Sequence, residues 1–482
     1  MRSHLFALAL VVAFATSSAC SKLSSVDASN ENDIGRSSSP IINGTVDNTH
    51  TAVVAIISTS SNQTGLCSGT MIKVDPDNHI GWVLTAAHCV KLAPTVALQS
   101  TDFSSASAIR YYVIDYAADP RYQLGGDAGQ PYDVAVVRVG GVDTNTPVIP
   151  ITDVSDGLEV GSPVTAIGFG RTTLLEAGTN TNTERMSAPL VVGDIDSTQI
   201  AYDLSTHGIC EGDSGGPDLF NQGGENRVVG IHSFIAGDCN GAGVSGRVSG
   251  NLDFIQTQLD KPLPERTCQT CSAIVQSGNQ ECAAITNRCR SNPDCAGFYS
   301  CPGATTASGQ AACLQEFPQA EGPVVAASEC PCNRSCADVC GGTSACADVP
   351  ACGEALPAGA CASCMQSICC QQALDCQADG TCHLCLRNND QDPSCQSNDA
   401  RRALATCAIN NCNIECSGTE FVRDLGVASP SSPSASGGCA VGQQDARSTR
   451  AAGSIFVLLS LVALRRRRRD GSHGRGQTIF TN

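Results

Sequence analysis

The sequence predicts an all-β fold over its first half followed by a disulfide-rich repeat region, and three observations carry that expectation. From Ile41 to about Leu259, short apolar runs recur between clusters of Gly, Asn, Asp and Pro: Ala52 to Ile57, Gly81 to Leu84, Val134 to Val139, Val164 to Phe169 and Val228 to Ile231. Runs of that length at regular spacing read as strands of a barrel or sandwich. Beyond them, 24 cysteines crowd between Cys268 and Cys416 while large apolar residues become scarce. Cross-links must then supply order that burial cannot, at roughly 2–4 kcal/mol per bridge. Between the two parts stands Lys261-Pro262-Leu263-Pro264, whose prolines fix φ and favour extended backbone before them, as in a stiff spacer.

At 482 residues the chain exceeds the roughly 250–300 at which single cores stop growing, so at least two domains are expected. Thirty cysteines with only 16% charged residues indicate an oxidising, extracytoplasmic compartment. The formal net charge of -17 excludes nucleic acid as a partner, which needs clustered Lys and Arg. The one dense basic run, Arg465 to Arg469, follows the apolar stretch Ile455 to Leu464 and reads as a topological anchor.

Taken in order, residues 1–20 are an export signal: Arg2, the apolar run Leu5 to Thr16, then Ser17-Ser18-Ala19-Cys20. Cleavage before Cys20 would make it a lipoprotein signal, although Ser17 stands where an aliphatic residue is usual; plain secretory cleavage is the alternative. Residues 21–40 are a Ser-rich propeptide or linker. Residues 41–259 form the β domain, closed by a short helix at Gly250 to Leu259, and 260–267 the linker. Residues 268–416 form the cysteine-rich domain, in which C-x5-C-x5-C occurs three times: Cys289/Cys295/Cys301, Cys340/Cys346/Cys352 and Cys370/Cys376/Cys382. These read as diverged repeats. Cys268/Cys271, Cys361/Cys364 and Cys382/Cys385 have the spacing of half a zinc site, but an even number of thiols in an export context, with His383 the single histidine there, favours twelve disulfides and no metal. Residues 417–438 are a flexible linker, 439–469 a C-terminal sorting or transmembrane segment, and 470–482 a tail. Gly437-Gly438-Cys439, the apolar Ala451 to Leu464 and the arginines resemble the C-terminal sorting tails of myxobacterial surface proteins. The apolar part is shorter than the roughly 20 residues of a spanning helix, so processing near Cys439 competes with a permanent anchor.

The chemistry concentrates in three motifs. Leu84-Thr85-Ala86-Ala87-His88-Cys89 sets a histidine after a strand, Asp133 precedes the apolar run Val134 to Val137, and Gly212-Asp213-Ser214-Gly215-Gly216-Pro217 sets a serine among glycines. A serine hydroxyl needs a general base with a pKa near the working pH, which imidazole provides, and a carboxylate fixes the imidazole tautomer and stabilises its cation. In type, order and context these residues resemble the chymotrypsin/trypsin-like serine protease family, peptidase S1, over residues 41 to about 258, including Gly168-Phe169-Gly170 and the pattern Val248 to Ile255.

The resemblance implies two six-stranded antiparallel β-barrels, a catalytic triad of His88, Asp133 and Ser214, and an oxyanion hole from the backbone N–H groups of Gly212 and Ser214. It implies disulfides Cys67–Cys89 and Cys210–Cys239. It also implies activation by cleavage before Ile41-Ile42-Asn43-Gly44, the new amino group pairing with Asp213. Pro40 departs from the basic residue usual before that cut, and Arg36 lies four residues too early, so an activating protease of other specificity is expected. The primary pocket falls to Gly208, Ser233, Phe234, Ile235 and Gly243. Gly208 stands where trypsin-like enzymes have Asp, which disfavours cleavage after Lys or Arg because the cation would be buried unpaired. Ile235 should narrow the entrance, leaning specificity towards small or medium apolar residues.

The expected function is that of an exported serine endopeptidase acting on protein or peptide substrates without cofactor or metal. It would be located at the cell surface or outer membrane, or outside the cell, of a Gram-negative bacterium, and handled by sorting machinery at its tail. Beside the protease, residues 268–416 would be a protease-resistant stalk or substrate-docking module; the alternative is a catalytically silent protease fold serving as a surface binding or adhesion protein, with the disulfide-rich region as its recognition end.

Overall fold

The computed structural model describes residue 41 and residues 44–416, apart from 61–62, 124–129, 173–181, 237–238, 302–303, 305–306, 354–358 and 389–392. The export signal, propeptide, Pro40 and everything from residue 417 onward, including Cys439 and the arginine cluster, lie outside the described residues. Among the described residues no helix is long and apolar enough to cross a membrane.

Two closed antiparallel barrels occupy the first half. In the first, β2 (Val53–Thr59), β3 (Thr64–Asp75), β4 (Ile80–Thr85), β5 (Pro94–Gln99), β6 (Ile109–Ala118) and β7 (Ala135–Gly140) are joined in the order β2-β3-β4-β7-β6-β5, with β5 returning to β2. In the second, β8 (Pro163–Gly168), β9 (Met186–Ile195), β10 (Gln199–Asp203), β11 (Pro217–Gln222), β12 (Glu225–Ala236) and β13 (Ala242–Arg247) run β9-β10-β13-β12-β11-β8, with β8 closing on β9. A short β1 (Thr45–Val46) adds to β9 from outside, Thr45 opposite Ser187. Buried side chains alternate with exposed ones through the middle of β9, as a barrel strand facing water requires. By contrast β7 is buried at every position, because its outer face is covered by the second half of the chain. Helix α1 (Leu252–Leu259) closes the domain with Phe254 and Ile255 inward.

The all-β expectation holds only for the barrels, because residues 268–416 are helical. Helices α2 (Cys268–Val275), α3 (Glu281–Ser291), α4 (Pro293–Ser300), α5 (Ala307–Glu316), α6 (Glu321–Asn333), α7 (Ala337–Cys340), α8 (Ala360–Ile368), α9 (Cys370–Gln377), α10 (Gly380–Asn388), α11 (Pro393–Ser397), α12 (Asp399–Asn411) and α13 (Asn413–Cys416) account for it. Their starts are written locally: Thr267 caps α2 by accepting from Thr270 N, Asn292 caps α4 ahead of Pro293, and Asn398 caps α12. The helices are short and bury many cysteines and alanines, with one local cluster around Phe298, Tyr299 and Val324, so disulfides substitute for a large apolar core.

Twelve disulfides cross-link this region, and their connectivity corrects the repeat unit. Cys289 pairs with Cys295 and Cys376 with Cys382, but Cys340, Cys346 and Cys352 pair with Cys268, Cys332 and Cys370. The C-x5-C-x5-C triplets are therefore not equivalent. The repeating object is a nest of five bridges. In the first nest Cys268–Cys340 and Cys271–Cys336 enclose Cys282–Cys330, inside which lie Cys289–Cys295 and Cys301–Cys313. In the second, Cys361–Cys416 and Cys364–Cys412 enclose Cys369–Cys407, then Cys376–Cys382 and Cys385–Cys395.

The helical region is seated on the first barrel. Arg138 of β7, buried, bonds Asp115 and donates to the carbonyl of Pro262 at 2.7 Å, so the proline segment expected as a spacer is tied down. Helix α2 lies so close to the end of β7 that a Cβ on Gly140 would stand 2.7 Å from Ile274 Cα, and one on Gly141, at φ +82°, would overlap Ser277. Gly278 N donates to Arg110 O at 2.7 Å.

Candidate active site

The first barrel supplies a histidine and an aspartate. After β4 the chain enters a single 3₁₀ turn, Ala87–Val90, that carries His88, anchored by the disulfide Cys67–Cys89. Asp133 enters from a turn in which Tyr132 holds φ +67° beneath the Arg121 guanidinium, 4.1 Å from its ring centroid. Asp133 is buried and its carboxylate is fully engaged. Oδ1 accepts His88 N at 2.9 Å, and Oδ2 accepts His88 Nδ1 at 2.7 Å and Ser233 Oγ at 2.6 Å. Because the carboxylate accepts, Nδ1 must carry the proton, which leaves Nε2 of a neutral ring as a base.

The second barrel supplies the serine. The loop from Cys210 to Pro217 turns through Gly212 at φ +99° and Gly215 at φ +81°, values that glycine adopts without strain. A Cβ on Gly215 would strike Thr85 Oγ1 and Ser68 O of the first barrel, so glycine permits the loop to reach across the seam. Ser68 fastens it there: its N donates to Ser214 O at 2.8 Å and its Oγ to Gly212 O at 2.9 Å. Cys89 Sγ, next to His88, lies 3.5 Å from Ser214 O. Among the described residues no hydrogen bond joins Ser214 Oγ to His88 Nε2, a contact that in unliganded sites is often long and tightens with substrate. The backbone N–H groups of Gly212 and Ser214 likewise make no hydrogen bond among the described residues.

Behind the serine, Asp213 is fully buried. It accepts Gly170 N at 2.7 Å and Cys210 N at 2.8 Å, and burial raises its pKa to about 6 despite these bonds and the nearby His232. Ile41 is also fully buried, packed with Met186 and Ala188 at φ +39°, a backbone angle that a β-branched residue rarely holds.

His232 was not among the expected site residues. Its N donates to Gly216 O and its O accepts Gly215 N, at 2.9 and 2.8 Å. Nδ1 faces Asp213 O and Nε2 faces Asp218 Oδ1, both at 3.1 Å, and Tyr202 OH donates to Asp218 Oδ2 at 3.0 Å. Both ring nitrogens meet acceptors, which only the imidazolium satisfies. Burial opposes that charge, but Asp218 outweighs it and raises the pKa. The signal was a histidine inside the apolar run Val228 to Ile235, which reads equally as ordinary core.

Of the expected pocket residues, Ser233, Phe234 and Ile235 line a cavity of about 70 Å³ beside Ser214, together with Ile209, Cys210, Glu211 and His232. Gly208 and Gly243 face Leu204 instead. The disulfide Cys210–Cys239 braces one side.

Two closed six-stranded barrels, with His and Asp on one and a glycine-bounded Ser on the other, define the chymotrypsin-like class. Residues 41–255 match the family model described as Trypsin and form a domain of the trypsin family. The chain is 29% identical over 212 residues to "Serine protease SP24D" of Anopheles gambiae, covering 40% of this chain and 72% of that protein. It is also 29% identical over 226 residues to "Brachyurin" of Leptuca pugilator, covering 40% of this chain and 87% of that protein. Both comparisons leave most of this chain uncovered.

Proposed function

We propose that the protein is an exported serine endopeptidase in which Ser214 is the nucleophile, His88 the general base and acid, and Asp133 the group that orients and stabilises the His88 cation. The observation that carries this reading is the His88–Asp133 bond at 2.7 Å, with Ser214 on the facing loop fixed to the same barrel through Ser68. Ser214 Oγ adds to the scissile carbonyl as its proton passes to His88 Nε2, and the carbonyl oxygen becomes an oxyanion held by Gly212 N–H and Ser214 N–H. His88 then returns the proton to the departing amine, leaving an acyl-enzyme that water hydrolyses by the same relay.

The buried Asp213, with its raised pKa, supports an activation step. Cleavage before Ile41 creates an ammonium group that pairs with the Asp213 carboxylate and orders the oxyanion site. Gly208 supports a specificity other than for Lys or Arg. The dense disulfides support export, and the sorting tail, the surface location and an activating protease belong to the same proposal.

The second reading, a catalytically silent binding protein, draws on the unmade Ser214–His88 bond. Fluorophosphonate labelling of wild type against Ser214→Ala, with N-terminal sequencing, separates the two. Label that vanishes in the variant, on a chain beginning at Ile41, supports the enzyme. A folded chain beginning at Ile41 that takes no label supports the binder.

A further inference from the structure

The pocket beside Ser214 should be deep if Gly208 forms its base and Gly243 its wall, because neither has a side chain to fill it. The cavity there measures only about 70 Å³, less than half the volume of an apolar cavity of roughly 150 Å³ that holds a benzene molecule. Leu204 leaves β10 just after Asp203 and is held by a bond from its N to Gly241 O at 2.9 Å. Its side chain is fully buried and lies against both glycines. A Cβ on Gly243 would stand 3.0 Å from Leu204 Cδ1 and 3.1 Å from Cδ2, and one on Gly208 would stand 2.7 Å from Cys239 O and 3.1 Å from Leu204 Cβ.

The polar groups of the wall are already committed. Ser233 Oγ donates to Asp133, both His232 nitrogens face acceptors within the protein, and Glu211 pairs with Arg171 at 3.1 Å. The surfaces left for a substrate side chain are those of Ile209, Phe234, Ile235 and the Cys210 disulfide.

Resting on the protease reading, we infer that Leu204 is the specificity-determining residue of this pocket. It plugs the floor that Gly208 and Gly243 leave open, and it restricts the residue before the scissile bond to a small aliphatic side chain such as that of Ala or Val. Each methylene that fails to fit an apolar pocket changes discrimination by about 10–200-fold, so Phe at this position is disfavoured against Ala by on the order of 100-fold or more.

The test uses the activated full chain and peptide nitroanilides that differ only in the last residue (Ala, Val, Leu, Phe, Lys, Glu), with active sites counted by fluorophosphonate. Wild type should cleave after Ala and Val. In Leu204→Ala the Phe-to-Ala ratio of kcat/KM should rise at least ~10-fold with labelling retained, and Leu204→Val should fall between. Adding Gly243→Ala to Leu204→Ala refills the space and should move the ratio back. A wild type that cleaves after Phe, Lys or Glu as well as after Ala, or labelled variants with an unchanged ratio, overturns the inference and leaves the protease reading standing. A wild type that neither labels nor cleaves removes both.

Discussion

Ser277 Oγ accepts the backbone N–H of Tyr112 at 2.7 Å, although 165 residues separate them along the chain. Tyr112 lies in β6, just before the register shift between Val113 and Asp115 against β7, and Ser277 completes the hydrogen bonding there. Losing that acceptor strands a part-buried N–H, so Ser277→Ala should lower the unfolding free energy by about 1–3 kcal/mol. Gly141→Ala, which forces a Cβ into Ser277 at φ +82°, should cost at least as much. Urea unfolding of both variants in a Ser214→Ala background checks this, and unchanged midpoints would mean that the helical region only rests on the barrel.

Seating on β6 and β7 also changes what truncation should do. A chain ended at Asp260 exposes the end of β7 at Gly140 and removes Pro262, whose carbonyl accepts from Arg138. It should melt at lower temperature and lose peptide hydrolysis in proportion to its unfolded fraction. A stalk would instead leave both unchanged.

Under the proposed mechanism, His88→Ala and Ser214→Ala should remove hydrolysis and labelling alike. Asp133→Asn should lower kcat by about 10⁴ through the wrong imidazole tautomer. Ser233→Ala removes one acceptor contact of the same carboxylate, and about tenfold is expected from a charge-assisted hydrogen bond. Pre-steady-state assays, with circular dichroism and thermal unfolding of each variant, distinguish these from misfolding.

The uncut chain should be most stable in mild acid. Asp213 keeps its proton up to about pH 6 when folded but only to about pH 3.9 when unfolded. Between these values the native state binds more protons, and stability falls as pH rises, by about 3 kcal/mol in all. His232 acts in the same direction. Its raised pKa gives stability that is fully present below the unfolded value of about 6.5 and is lost as pH rises through the folded one. Thermal unfolding of uncut Ser214→Ala protein from pH 4 to 8 should show the decline, and Asp213→Asn should flatten its acid part.

The His232–Asp218 pair is fully buried, so removing one partner strands the other. Asp218→Leu alone should cost about 3–5 kcal/mol, whereas adding His232→Val should recover most of that, less about 1–3 kcal/mol for the Tyr202 hydroxyl that also loses Asp218. A double-mutant cycle by chemical denaturation gives the coupling directly.

Much of this was readable in the residues, for identifiable reasons. Strands β2, β4 and β7 show as apolar runs because nearly all their positions are buried. His88, Asp133 and Ser214 stand out because the backbone around each needs a particular local sequence, above all glycine at 212 and 215. Leu204 and His232 do not stand out, since leucine after a strand and histidine within one are ordinary until folding sets them beside Gly243 and Asp218. The helices beyond Cys268 were hidden for a different reason. Their buried faces are rich in cysteine and alanine, which carry little of the periodic apolar signal by which helices are recognised, and cysteine spacing does not reveal which thiols meet.

The nested bridges fix an order of events for the chain as it is made. In each nest the first thiols, Cys268 and Cys271 or Cys361 and Cys364, find their partners only among the last, Cys336 and Cys340 or Cys412 and Cys416. A chain emerging amino-end first therefore exposes its earliest cysteines long before their mates arrive. Early neighbours compete for those thiols throughout that interval. Any such early pairing must be exchanged before the native set can form, and a polypeptide stopped short of Cys412 leaves both outer thiols of the second nest without their native partners.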